Sequence, residues 1–232
     1  LEVNLHRYLC YRGSSATNIS SWYTMFHPLM FNIRFLIANS WASDIILTSR
    51  SGRSTSSLES LYATAAQIRV VKADAAMHAD GINVESPLTC IIHASGVLED
   101  SMISGMSPAK VRKVFSSKVS LLPMLERINA LNPLALNVMF SSIASLVGAA
   151  GQSNYVAANH QLDQWSISQE HRGRACISVQ WGAWTDVGMA SQSVLDRLER
   201  TGQGILKPEI GLAALHNCLI NVAKPQSLLS ER

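Results

Sequence analysis

Between Gly13 and Gly52 the chain contains no glycine. A backbone that wraps closely around a phosphate needs residues without a Cβ, so this interval holds no glycine-rich phosphate loop. Cysteine is sparse as well. Cys10, Cys90, Cys176 and Cys218 are scattered, with no Cys-x-x-Cys pair and no histidine at ligand spacing, which leaves neither a metal site nor a disulfide framework. A reducing, cytoplasmic compartment fits that usage. Charged residues make up only 15% and the net charge is +3, so no nucleic-acid surface is expected. The one basic tract, "KVRK" at Lys110 to Lys113, reads as a solvated helix face, with docking of an acidic partner as the sharper alternative. No membrane span is expected either, because the most apolar N-terminal run, Met25 to Leu47, is broken by Asn32, Arg34 and Asp44. The chain opens on Leu rather than Met and has no signal-peptide layout, as a piece of a larger protein would. In that setting the triplet Asn18-Ile19-Ser20 is a chance match to a glycosylation motif.

What is present is an ordinary globular composition: 232 residues, 47% of them hydrophobic, enough for one well-buried core. From about residue 43 short β-rich runs alternate with longer helical patterns. The runs at 44–49, 68–73, 89–94, 134–140 and 176–181 are continuously apolar, as strands covered on both faces must be. Such alternation predicts a parallel sheet between two layers of helices. Ser107-Pro108 has the form of an N-cap followed by Pro at the first helical position, opening a long helix to about Ala130. Further helices are expected over Ser153 to His171 and from Pro208 through "EIGLAALHNCLINVA". Residues 1–30 fit no periodicity.

The stretch "SSIASLVGAAGQSNYVAAN", Ser141 to Asn159, leaves the end of one strand and enters the next helix. Ser141 and Ser142 therefore stand at the carboxyl edge of the sheet, where open α/β folds bind ligands. Tyr155 and Asn159 are four apart and share a helix face. A phenol has a pKa of about 10 and gives up its proton poorly at neutral pH unless a cation stabilises the phenolate. Lys118, in "FSSKVSLLPML", is the candidate cation. A Tyr backed by Lys can act as general acid toward a carbonyl oxygen, while a Ser hydroxyl donates a second hydrogen bond to the oxyanion formed as hydride reaches carbon. No side chain supplies hydride, so a cofactor is required. Each residue also has a plainer reading. Ser141 and Ser142 can cap a strand end, Tyr155 can be a packed helix aromatic, Arg50 can be a surface arginine, Trp181 and Trp184 can be core or pocket wall, and His93 can be a satisfied turn residue.

Lys118, Ser142, Tyr155 and Asn159, with spacings of 24, 13 and 4, resemble the Lys-Ser-Tyr-Asn tetrad of the ketoreductase domains of modular polyketide synthases. These belong to the short-chain dehydrogenase/reductases. Further segments match in order. "LTSRSG" (47–52) resembles the strand whose arginine holds the cofactor 2′-phosphate, "IIHASGVLED" (91–100) the strand beside the nicotinamide ribose, and "WGAWTDVGM" (181–189) the loop over nicotinamide and substrate. The resemblance implies a Rossmann-like doubly wound parallel sheet over residues 31–224, a tail or linker over 225–232, and an aberrant N-terminal segment, degenerate or misjoined, over 1–30. It implies NADPH as cofactor, with Ser49, Arg50, Asp74, Ala94 and Gly96 on the cofactor side. Leu98, Asp100, Trp184 and Met189 fall on the substrate side, and Leu98-Glu99-Asp100 resembles a Leu-x-Asp signature associated with a D-configured 3-hydroxyl product. The implied substrate is a β-ketoacyl chain tethered through phosphopantetheine to an acyl carrier protein, beside neighbouring synthase domains, in polyketide or fatty acid biosynthesis.

Two departures stand out. Ahead of Arg50, where the family carries its Gly-rich pyrophosphate loop, this chain has Trp22, Tyr23, Phe26 and Pro28. His93 follows Asp74 by only 19 positions, a stretch broken by Gly81 and Pro87, so a crossover helix is expected to be shortened. Two readings stay open: a working NADPH-dependent reductase, and a non-catalytic domain that keeps the fold inside a synthase after losing its cofactor loop.

Overall fold

The computed structural model of the protein describes residues 7–11, 44–49, 67–72, 88–131, 133–185, 196, 200 and 204–223. Six strands form one sheet: β1 (Arg7–Tyr11), β2 (Asp44–Ser49), β3 (Gln67–Lys72), β4 (Cys90–His93), β5 (Leu136–Ser142) and β6 (Cys176–Trp181). Their order is β3-β2-β1-β4-β5-β6 and every pairing is parallel. Strand order reverses between β1 and β4, and the crevice for a ligand opens there, at the carboxyl ends. Five strands lie within two residues of their expected positions. The sixth, β1, lies inside the segment that the sequence left unassigned. With two tyrosines and an arginine among its five residues, "RYLCY" lacks the Val/Ile run that marks a buried strand. Its pairing on both edges, Tyr8 with Ile45 and with Cys90, gives it the central place.

The helices among the described residues are α1 (Pro108–Lys118), α2 (Leu122–Leu131), the short α3 (Ala144–Val147), α4 (Ser153–His171) and α5 (Pro208–Ala223). Ser107 caps α1 by accepting from the Lys110 amide at 3.4 Å, with Pro108 in the first turn as expected. The expected single helix to Ala130 is in fact two. Pro123 has no N–H, and inside a continuous helix its ring would meet the Val119 carbonyl four residues back. The chain turns at 119–121 and restarts at Leu122, which places Pro123 in a first turn where it is tolerated. Lys118 thereby becomes the last residue of α1.

The sheet is buried on both faces. Ile45, Leu47, Cys90, Ile92, Leu136 and Val138 pack with Leu215 and Leu219 of α5. On the other face Ile46, Ile91 and Met139 meet Leu122 and Leu125 of α2 and Leu162 and Trp165 of α4. A fully buried leucine such as Leu125 contributes about 1.5–3 kcal/mol relative to exposure. Glu126 ties α2 to the end of α4, accepting from Trp165 Nε1 (3.1 Å), Gln169 Nε2 (2.6 Å), Arg172 (3.0 Å) and Arg174 (3.1 Å). Gly173, at φ 73°, supplies the left-handed residue that ends α4 and turns the chain into β6. No helix among the described residues is long and apolar enough to cross a membrane. The expected helix over 31–43 and the shortened crossover between Asp74 and His93 lie outside the described residues.

Candidate active site

The carboxyl end of α1 is fastened to the carboxyl end of β4. His93, fully buried, donates from Nε2 to the Lys118 carbonyl at 2.7 Å, and Ser95 Oγ donates to the Ser117 carbonyl. Carbonyls in a last helical turn lack intrahelical partners, so these two side chains complete the helix end and fix where Lys118 leaves it. Burial pushes the His93 pKa down to about 4, keeping the ring neutral. His93 is thus a satisfied strand-end residue.

The Lys118 side chain runs inward, its residue only 3% exposed. Its Nζ donates to the Phe140 carbonyl at 2.8 Å and lies 5.6 Å from the centroid of the Tyr155 ring. Burial lowers its pKa to about 7, with the charge of Asp163 acting in the opposite direction. Tyr155, in the first turn of α4, is also buried. Burial raises its phenol pKa from 10.0; hydrogen bonding with Asn159 and Ser142 pulls it down, and Asp100 adds to the rise. The phenol therefore keeps its proton at neutral pH, as a proton donor must before substrate arrives. Asn159, one turn on, donates to the Tyr155 carbonyl at 2.9 Å, while its buried Oδ1 has no hydrogen-bond partner among the described residues. Ser142, the last residue of β5, is half-buried, and its Oγ accepts from the Ala144 amide at 3.2 Å. One ammonium, one phenol, one hydroxyl and one amide thus converge from α1, α4 and β5 on one edge of the sheet.

Behind Ser142 lies a polar cluster that the sequence did not announce. Ser145 Oγ stands 2.8 Å from the Ser142 carbonyl and 2.5 Å from Asp163 Oδ2, so one hydroxyl proton serves both. Asp163 also accepts from Ser178 Oγ at 2.5 Å and Gln180 Nε2 at 2.9 Å. Burial pushes this carboxyl up, but the donors Ser145, Ser178, Gln180 and Ser141 hold it below the ordinary aspartate value. The available signal was helical spacing: Asp163 stands four residues after Asn159 and eight after Tyr155. Ser141 donates to the Asn159 carbonyl at 3.3 Å and so links strand to helix.

On the cofactor side, Ser49 ends β2, while half-buried Ala94 and buried Gly96 follow β4 at the crevice. Arg50 and Asp74 lie outside the described residues, as does Met189 on the substrate side. Leu98 packs against the buried cluster that contains Val97, Val114, Ala144, Tyr155 and Ala158, and Asp100 accepts from Gln152 Nε2 at 3.0 Å. Trp184 is buried and packs edge-on against Trp181 (centroids 5.0 Å apart), which in turn meets Phe140 at 5.4 Å. These three rings form an aromatic wall beside the end of β5. Residues 94–96 are small, and the Ser95 hydroxyl is turned to the Ser117 carbonyl of α1, so no bulky or charged side chain of this stretch stands against a nicotinamide ring.

A parallel sheet in this order, with this edge, is a Rossmann-like doubly wound fold of the short-chain reductase type. The KR domain family matches residues 30–186, and the chain belongs to that family, the ketoreductase domains of polyketide synthases. It is 36% identical over 197 residues to polyketide synthase GfsB of Streptomyces halstedii, covering 81% of this chain and 4% of that protein. With mycoketide-CoA synthase of Mycobacterium tuberculosis it shares 34% over 183 residues, 73% of this chain and 4% of that protein. Among solved structures, A-type ketoreductases from a modular polyketide synthase superpose with a TM-score of 0.78 at 26% identity, over 94% of this chain and 46% of that one. The chain spans only a small fraction of the synthases it matches.

Proposed function

We propose that this chain is the catalytic core of a ketoreductase that reduces the 3-keto group of an acyl chain held by phosphopantetheine on an acyl carrier protein, beside neighbouring domains of a polyketide synthase. The convergence of Lys118, Ser142, Tyr155 and Asn159 on one sheet edge carries this reading. NADPH is the proposed cofactor, with Ala94 and Gly96 beside its nicotinamide end, Ser49 and Arg50 at its 2′-phosphate and Asp74 at its adenine; when bound it supplies hydride. The residues of the chain do the rest. Tyr155 gives its proton to the carbonyl oxygen, Ser142 donates to the same oxygen, and the Lys118 ammonium beside the ring favours the phenolate left behind. Asn159 holds the Tyr155 backbone and offers its Oδ1, unpartnered among the described residues, to a polar group at the site. Leu98, Asp100, Trp184 and Met189 border the acyl chain.

A second reading, a non-catalytic domain retained for its fold, is favoured by the absence of glycine between Gly13 and Gly52. Tyr155→Phe separates the two. Turnover of a small β-ketothioester should fall by the ~10²–10⁴-fold typical of an acid–base group, with the thermal midpoint unchanged. A Phe variant that keeps most of its activity refutes the tetrad, and an unmodified chain without turnover favours the second reading.

A further inference from the structure

Asp163 is a buried carboxylate for which the tetrad has no use. It stands on the face of α4 that carries Tyr155 and Asn159, and its oxygens are filled by Ser145, Ser178 and Gln180, all neutral donors. Among the described residues it makes no ion pair, and neither does Lys118, yet the two are held at one place on the sheet: Lys118 Nζ rests on the Phe140 carbonyl of β5, and Ser178 and Gln180, which hold Asp163, pair across the β5–β6 ladder with Met139 and Ser141 on either side of Phe140. Two opposite charges away from water act on each other beyond contact distance, because little solvent screens them. Among the described residues, the other groups that meet Lys118 are without charge at neutral pH. From β4 comes the neutral His93 ring, from α4 the protonated Tyr155, and from β5 a backbone carbonyl; Asp100, after β4, acts on Tyr155 and is exposed. The same carboxylate holds Ser145, whose hydroxyl also reaches the Ser142 carbonyl. We infer that Asp163 is a positioning residue of this site: it is the non-contacting counter-charge of Lys118, and through Ser145 it anchors the turn that carries Ser142.

The inference rests on the proposed ketone reduction for its catalytic meaning, but its test has a readout independent of turnover. Lys118 can be titrated by NMR with ε-¹³C-lysine, its signal assigned by loss in Lys118→Met. In the unmodified chain the midpoint should fall far below that of a free lysine. Asp163→Asn keeps the shape and removes the charge, so the ammonium loses its stabilising partner and the midpoint should move to lower pH. Ser145→Ala keeps the charge and should leave the midpoint in place. An unshifted Lys118 midpoint in Asp163→Asn overturns the inference. So does a protonated Asp163 carboxyl at pH 7 in the unmodified chain, read by ¹³C-aspartate NMR, a measurement that stands even if the Asn variant does not fold.

Turnover then adds a second pair of outcomes. Reduction requires the charged lysine, so the alkaline limb of the kcat/KM profile should shift down in Asp163→Asn in step with the NMR midpoint. Ser145→Ala should lower kcat at every pH without moving the limb, and Ser145→Thr, which restores the hydroxyl, should recover it. An unchanged kcat in Ser145→Ala overturns the anchoring role. Absent turnover in the unmodified chain, with the NMR shift intact, would sink the proposed reaction and leave the charge coupling standing.

Discussion

Gly211 lies in the first turn of α5, directly against the aromatic wall. A Cβ built there would lie 2.7 Å from Cζ2 and 2.8 Å from Cζ3 of Trp184, with Cη2 closer still. The ring has nowhere to retreat. It is 6% exposed, stacked edge-on against Trp181, and its backbone is bridged to Leu206 just ahead of the helix. Two effects of opposite sign therefore compete in Gly211→Ala. Alanine favours the helix by about 0.8–1.0 kcal/mol. Overpacking costs about 1–3 kcal/mol, toward the upper end when a rigid ring is met at three atoms at once. Displacing the ring also puts at risk the ~0.5–1.5 kcal/mol of the Trp pair. The net expectation is a destabilisation of about 1–2 kcal/mol. For a chain of this size that lowers Tm by about 2–8 °C. Calorimetry measures it, and tryptophan fluorescence should report the altered packing of Trp184 in the native state. A Tm that rises, as propensity alone would dictate, refutes the close contact between α5 and the aromatic wall.

Glu126→Ala removes the common acceptor of Trp165, Gln169, Arg172 and Arg174, and leaving buried donors unpaired should cost about 1–3 kcal/mol in urea unfolding at pH 7. Burial pushes the Glu126 carboxyl up but its donors hold it lower than usual, so its stabilisation is present above the ordinary carboxylate range and lost as pH falls through the folded value; the gap between wild type and variant should shrink in acid. NADPH should bind weakly, because each charge-assisted hydrogen bond lost from a glycine-rich loop is worth ~1.5–3 kcal/mol and losing two weakens binding by at least ~100-fold. A micromolar Kd in a fluorescence titration would show that the segment leaving β1, which begins Arg12-Gly13, cradles the phosphates without further glycines.

Strands buried on both faces were legible because their runs are continuously apolar; Asp44–Ser49 and Cys176–Trp181 fall at the expected residues. β1 was not, since a central strand rich in tyrosine owes its place to backbone pairing on two edges, which leaves no periodic mark. The break after Lys118 was written in Pro123 but hidden by the apolar pattern that continues across it. Of the candidate site, Lys118, Ser142, Tyr155 and Asn159 were singled out by residue type, by spacing and by the family resemblance those spacings carry. Asp163, Ser145 and Ser95 act through other residues, and only the packing of α1 and α4 against β4 and β5 brings them into reach.

The column Tyr155, Asn159, Asp163 has a further consequence. All three are read from one rod at a rise of about 1.5 Å and a turn of about 100° per residue. A single residue inserted between Tyr155 and Asp163 would swing the carboxylate about a quarter-turn away from Ser145, Ser178 and Gln180 while leaving the phenol in place. Changes in length are thus forbidden between Tyr155 and Asp163, and equally within β6, where one inserted residue would turn Ser178 and Gln180 to the other face of the sheet. Within a lineage of such domains, these two stretches should vary in letters and never in count.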